Sequence, residues 1–248
     1  MKPTVAFFDF SSCEGCQIEL TNFGDTIFLE LLEHIEIVEF REAMQEKSDS
    51  YDIAFIEGSF TREVDRKRIE DIRKKAGVVI AYGACATNGG INALRNHQTD
   101  YKEYVYGKSA NLPHLNSSLA KPISEVIQVD YFVPGCPIDK NEFAKIVTDL
   151  LHGKEPFIPD YPVCVECKRR ETLCRFDDND YCLGMVTRAG CNAPCPADGI
   201  PCEACRGFVT EYNKESLEKV LFKKGNLSKK IAESKTRMFT ANLRDDSL

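Results

Sequence analysis

The sequence predicts an α/β protein in which a domain with a mostly parallel sheet is followed by a small cysteine-rich domain with little regular structure. Three observations lead there. Short apolar segments rich in Val, Ile, Phe and Tyr alternate with segments of helical period up to His152. After Gly153 the stretch "KEPFIPDYPV" holds three prolines within nine positions and has no periodicity, as a linker would. Eight cysteines then fall within 42 residues, Cys164 to Cys205, among few large hydrophobes. The expected domains are therefore residues 1–153, 154–209 and 210–248, the last a helical extension or tail.

The strands are expected at Thr4–Phe10, Ile35–Phe40, Asp52–Gly58, Val78–Gly83 and Val129–Pro134, each short and apolar. Between them the spacing predicts a helix over Cys16–Leu32, with Ile18, Leu20, Phe23, Ile27 and Leu31 on its apolar face, and a strongly charged one over Arg62–Lys75. A third, Lys140–His152, carries Phe143, Ile146, Val147 and Leu150 at helical spacing and stops at Gly153. Residues 95–127 are polar, Tyr-rich and without a clear period. From Glu215 onward the chain is charged with scattered apolar residues, which reads as one helix and then a frayed or partner-bound tail.

A chain of 248 residues can bury a substantial core. "MKPTVAFFDF" enters a strand directly, with no basic n-region or apolar h-region, so the protein is expected to be cytoplasmic. No apolar run approaches the roughly 20 residues needed to cross a bilayer, so no membrane insertion is expected. The net charge of −7 argues against a nucleic-acid partner, and the basic cluster Cys167–Arg170 reads as a solvated loop or protein contact. Twelve cysteines in a reducing cytosol are poorly explained by disulfides, which makes metal the leading reason for them.

Cys13 and Cys16 stand just past the first strand, Cys85 follows "VVIAYGA" and Cys136 follows "VDYFVPG", so all four fall at the carboxyl ends of strands. Open α/β sheets bind ligands at that edge, where strand order reverses. A thioredoxin-type dithiol would need only one CxxC and leaves Cys85 and Cys136 unexplained. Structural zinc usually clips paired knuckles on loops. A [4Fe–4S] cluster, bulkier and held by four thiolates, fits better. Gly83, Gly89, Gly90 and Gly135 beside the sulfurs let backbone pass close to an inorganic core. The second half repeats the pattern with "CVECKRRETLC", "YC" and "GCNAPCPADGIPCEAC". Its eight thiols divide sequentially into Cys164, Cys167, Cys174, Cys182 and Cys191, Cys195, Cys202, Cys205, or in an interleaved way, and spacing leaves both open; zinc ribbons compete here as well. With so little apolar content, whatever binds these sulfurs must contribute to folding.

"CEGC" after the first strand, "GACATNGGI" and "PGCP" resemble the flavodoxin-like domain of the small, electron-transfer subunit of [NiFe] hydrogenases. "YCLGMVTRAGCNAPCPADGIPCEACRG" looks like the cysteine-rich half of its cytoplasmic branch, the methyl-viologen-reducing hydrogenases and sulfhydrogenases. The resemblance covers residues 4–207 and all twelve cysteines. It implies three [4Fe–4S] clusters, the proximal one on Cys13, Cys16, Cys85 and Cys136 facing the Ni–Fe centre of a separate large subunit, the others passing electrons to a further flavin or iron–sulfur subunit. Hydrogen chemistry is then expected on the large subunit, and no residue of this chain is expected to be catalytic. The rivals are the related small subunit of respiratory complex I, with one cluster, a zinc-stapled interaction module, and a flavodoxin-like FMN protein. Glu14 and Glu19 flank the first motif, either as proton-relay groups or as carboxylates favoured at a helix start. His34, His97, His114 and His152 lie outside the cysteine motifs and read as surface or packing residues.

Overall fold

In the computed structural model the residues described are 2–22, 26–98, 100–109, 112–113 and 116–242, apart from the side chains of Thr26 and Ile27. Phe23 and His114 lie outside them. Five parallel strands form one sheet: β1 (Thr4–Asp9), β2 (Glu36–Phe40), β3 (Tyr51–Glu57), β4 (Ala76–Tyr82) and β5 (Tyr131–Val133), in the order β2-β1-β3-β4-β5. This is the flavodoxin-like order, with its reversal between β1 and β3. Each strand lies within a few residues of its expected place.

Alternation along the strands sends side chains to two cores. Val5, Phe7, Ile53, Phe55, Ile80, Tyr82 and Val133 face one side and Ala6, Phe8, Ala54, Ile56, Val79 and Ala81 the other. Burial on both faces is why these strands read as unbroken apolar runs. The first core is closed by α1 (Gly15–Thr21), α2 (Thr26–Leu32) and α6 (Lys140–Leu151), through Leu20, Phe28, Leu31, Phe143, Ile146 and Val147. Phe7 stacks at 4.5 Å on Phe40 and 4.9 Å on Phe55 at its centre. The second is closed by α3 (Arg66–Lys75), through Ile69 and Ile72, and by Ala86, Ile123 and Ile127 of the β4–β5 crossover. α6 starts where expected because the Asp139 side chain accepts from the Glu142 N–H at 2.9 Å.

Two expectations for this part of the chain are corrected. The helix expected over Cys16–Leu32 is two helices: α1 ends at Thr21, Asn22 has non-helical backbone angles (φ −73°, ψ 86°), and Ile18 is exposed rather than on the buried face. Asn and Gly, the residue types at 22 and 24, are weak helix formers, and the apolar period alone conceals that. The charged helix starts at Arg66, after one 3₁₀ turn at Glu63–Asp65. After β4 come the short helix α4 (Gly83–Asn88), a 3₁₀ segment at Ile91–His97, the short helix α5 (Tyr101–Tyr106) and a 3₁₀ turn at Gly107–Ser109.

Beyond the linker, α7 (Cys164–Arg169) and α8 (Pro194–Ala197) are the only α-helical turns among the described residues of the cysteine-rich block. Its apolar support comes from outside. Two C-terminal helices, α9 (Lys214–Lys223) and α10 (Lys229–Arg237), rather than one, bring Leu217, Leu221 and Ala232 against Tyr181, Leu183, Val186, Ala204 and Phe208. The segment read as a tail is anchored up to Asn242, whose amide donates to the Ala120 carbonyl at 2.8 Å while Ala241 packs on Ala93 and Ala120. The block therefore folds against its own C-terminal extension. Leu221→Ala is expected to cost about 2–5 kcal/mol and to expose residues 164–209 to protease before the sheet; denaturant titration with limited proteolysis reads both.

Candidate metal centre

The first thiol set is assembled by the sheet. Cys13 and Cys16 come off the end of β1, Cys85 lies in α4 directly after β4, and Cys136 follows β5. Backbone hydrogen bonds tie these loops together: Ala84 N–H donates to the Gly135 carbonyl at 2.6 Å, and Ser59 N–H to the Ser11 carbonyl at 2.9 Å. Below them, at the end of β3, sits a residue that the sequence pattern did not single out. Glu57 is buried and its two carboxylate oxygens accept from the N–H groups of Cys16 (3.3 Å) and Gln17 (3.2 Å), fixing the first turn of α1. A charged residue closing the apolar run "DIAFIE" at the ligand-bearing edge was the available signal. Gly83 lies against Cys16: a Cβ there would stand 2.6 Å from the sulfur, and its φ of +80° is one that glycine adopts freely.

The electrostatics of the rim are one-sided. Burial raises the Cys16 thiol well above its ordinary pKa, and Glu57, Cys136 and Cys85 raise it further. Burial raises Cys85 to about 12, with Cys136, Cys13 and Glu57 adding to it, and Cys136 shifts upward for the same reasons. Burial also raises the Glu57 carboxyl. The Tyr82 hydroxyl is buried without a hydrogen-bond partner among the described residues. Thiols placed this way hold their protons until a cation replaces them.

The other eight thiols fall into two neighbourhoods. Burial raises Cys164 to about 11, reinforced by Cys182, Cys167 and Cys174, and Cys167 and Cys174 act on Cys182 in the same way. Burial raises Cys191 to about 12, opposed by Arg206 and reinforced by Glu166 and Cys205; Cys205, raised to about 11, has Cys136 and Cys195 beside it. Cys202, pushed up by burial, neighbours both Cys182 and Cys205. Contacts join the neighbourhoods: Cys202 N–H donates to Cys182 Sγ at 3.4 Å, and Cys205 has Cys136 beside it. Glu166 accepts from Gly190 N–H at 2.9 Å and brings its other oxygen within 4.0 Å of Cys191 Sγ. Glu14 is in left-handed conformation ahead of α1, its carboxyl raised by burial and by Glu42. His34, His97 and His152 are exposed; the His97 ring meets the Ala241 carbonyl at 3.2 Å and the His152 ring the Thr148 carbonyl at 2.8 Å.

Among the described residues no group of three or more His, Cys, Asp or Glu side chains is placed to hold a single metal ion. A [4Fe–4S] cube takes each thiolate at a different iron corner, so its ligands surround a volume rather than a point. The donor set fits such a group: soft thiolates in fours, glycine backbone against sulfur, and thiols whose surroundings supply no compensating positive charge at the sheet rim.

The model of the NADH ubiquinone oxidoreductase 20 kDa subunit family matches residues 13–150. The chain belongs to this family. Sulfhydrogenase 2 subunit delta of Pyrococcus furiosus is 36% identical over 216 residues, covering 86% of this chain and 90% of that one. A subunit of the F420-non-reducing hydrogenase vhu of Methanocaldococcus jannaschii is 35% identical over 235 residues, covering 82% and 81%. A chain of the crystal structure of an NAD+-reducing [NiFe]-hydrogenase in the H2-reduced state superposes with a TM-score of 0.57 at 30% identity, over 64% of this chain and 96% of that one. Within the family the chain is thus a hydrogenase small subunit. The family match stops at residue 150, so Cys164 to Cys205 lie beyond it. No helix among the described residues is long and apolar enough to cross a membrane.

Two outcomes follow from the rim. Gly83→Ala forces its Cβ onto Cys16 Sγ and should cost about 1–3 kcal/mol and several-fold in bound iron, measured by thermal unfolding and metal analysis. In the metal-free chain, thiols such as Cys85 and Cys191 move from 9.0 to about 12 on folding. Their contribution is then full below about pH 9 and lost as pH rises toward 12, because the unfolded chain ionises first. Denaturant midpoints of metal-free protein at pH 8 and pH 10.5 should fall with pH; a rise would contradict this burial.

Proposed function

We propose that this chain is the electron relay of a [NiFe] hydrogenase, connecting the Ni–Fe site of a large subunit with a further flavin or iron–sulfur subunit. Three [4Fe–4S] clusters, when bound, would supply one-electron carriers that change charge without making or breaking bonds to hydrogen. Cys13, Cys16, Cys85 and Cys136 would hold the proximal one. The sequential division is favoured for the rest, with Cys191, Cys195, Cys202 and Cys205 in the middle position and Cys164, Cys167, Cys174 and Cys182 farthest out.

The observation that carries this reading is the line of contacts. Cys205 has Cys136 beside it, and Cys202 N–H meets Cys182 Sγ at 3.4 Å, which supports placing the second thiol set between the first and the third. Cys13 and Cys136 are exposed at the sheet rim, which supports placing the large subunit there. Glu57 and Gly83 keep the Cys13–Cys16 turn in register with Cys85, Cys174 lies exposed in the outermost set, where a further subunit would meet it, and residues 1–153, 154–209 and 210–248 serve as carrier of the proximal site, carrier of the other two and outer support.

In the purified complex, Cys85→Ser is expected to abolish electron flow from H2 to viologen dyes while centres held by residues 164–205 stay visible by paramagnetic resonance. Dye reduction at the parent rate in that variant would contradict the relay.

A further inference from the structure

Arg206 is a buried cation at the junction of the two lobes, its side chain only 1% exposed. All three of its nitrogens are committed. Nε donates to the carbonyls of Ala189 (2.9 Å) and Arg188 (3.1 Å), Nη1 to the Pro134 carbonyl (2.6 Å), and Nη2 to Glu142 Oε1 (2.6 Å). Pro134 and Glu142 belong to the sheet lobe, while Arg188, Ala189 and Arg206 belong to the cysteine-rich one. Pro134 stands two residues before Cys136, Ala189 two before Cys191, and Arg206 directly after Cys205. One guanidinium therefore pins the backbone of three thiol-bearing segments from two sets.

The fit is close. Gly190 has φ +120°, and a Cβ there would overlap both Arg206 Nη2 and Glu142 Oε1, so the ion pair lies directly against the backbone that carries Cys191. Taking such a pair out of water is costly, and apolar residues of similar volume often serve stability as well. Stability is therefore a weak explanation for a charge at this place. Its electrostatic effect follows from its place: the buried guanidinium is bonded to the backbone two residues before Cys136 and Cys191 and belongs to the residue directly after Cys205.

We propose that Arg206 is a positioning and potential-setting residue of the relay, clamping the Cys136, Cys191 and Cys205 segments together and favouring the reduced form of the centre held by Cys191, Cys195, Cys202 and Cys205. This rests on reading those cysteines as cluster ligands. The step concerned is the gain of one electron, with no bond made or broken and the centre one charge more negative; the electron comes from H2 oxidation on the large subunit, or from dithionite in a titration. A fixed positive charge in a dry site stabilises the more negative state, and the carboxylate of Glu142 moderates it.

The test is a redox titration of the intact hydrogenase complex followed by paramagnetic resonance, on the parent, Arg206→Met, Arg206→Lys and Glu142→Gln. Arg206→Met should lower the reduced-to-oxidised ratio of one of three centres about tenfold at fixed potential, roughly 59 mV for a one-electron couple, leaving the other two within about twofold. Arg206→Lys, which keeps the charge but not the fork, should shift that centre less. Glu142→Gln removes the moderating charge while keeping the acceptor on Nη2, so the same centre should move the opposite way. If Arg206→Met does not assemble, the lysine and glutamine variants decide. The proposal is overturned if Arg206→Met and Glu142→Gln shift in the same direction, as simple loosening of the lobes would produce, if all three centres move together, or if none moves. Fewer than three titrating centres in the parent would instead overturn the cluster reading beneath it.

Discussion

A thiol buried at the rim of this sheet gives up its proton only when another positive charge takes the proton's place. Every other feature follows from that constraint. Cys16 and Cys85 are each driven toward the neutral form by burial and by the neighbouring Cys136, and Glu57 beneath them adds a carboxylate. A fold that invested only in packing would not gather like-charging groups at one place. On the proposed reading iron would supply what the surroundings withhold, and its binding would be inseparable from the folding of the segments that carry those cysteines.

The two lobes answer the constraint differently. In the sheet lobe Cys13, Cys16, Cys85 and Cys136 are positioned by five strands buried on both faces, an aromatic stack on Phe7, and loops tied across the carboxyl edge by Ala84 and Ser59. The family shared with the 20 kDa subunit of NADH ubiquinone oxidoreductase is matched in this part. The cysteine-rich lobe has two short α-helical turns among its described residues and borrows its apolar packing from α9 and α10. Lobe and extension are bound to the sheet lobe at separate points, by Arg206 on Glu142 and Pro134 and by Asn242 on Ala120.

Much of this was legible in the amino acids. Strands buried on both faces announce themselves as apolar runs, and cysteines directly after three of them announce the rim. What escaped was whatever depends on distant partners. The break after Thr21 is invisible to a period that continues through Leu31. Leu217, Leu221 and Ala232 look like a surface helix until Tyr181, Leu183 and Phe208 are seen against them. Glu57 and Arg206 look like ordinary charges beside glycine, because a burial cost and its compensation both lie in the third dimension. Spacing left the last eight cysteines undivided; that Cys182 lies beside both Cys164 and Cys202, and Cys205 beside Cys136 and Cys195, is seen only with the chain folded.

The central claim is that thiolates in three sets of four hold iron–sulfur cubes, and iron X-ray absorption of the anaerobically purified complex, combined with acid-labile sulfide assay, tests it most directly. Three cubes predict about twelve iron and twelve sulfide per copy of this chain, beyond the iron of the large subunit, with short iron–iron scattering. Zinc in tetrahedral sulfur coordination without labile sulfide, or thiols free of metal, would contradict it.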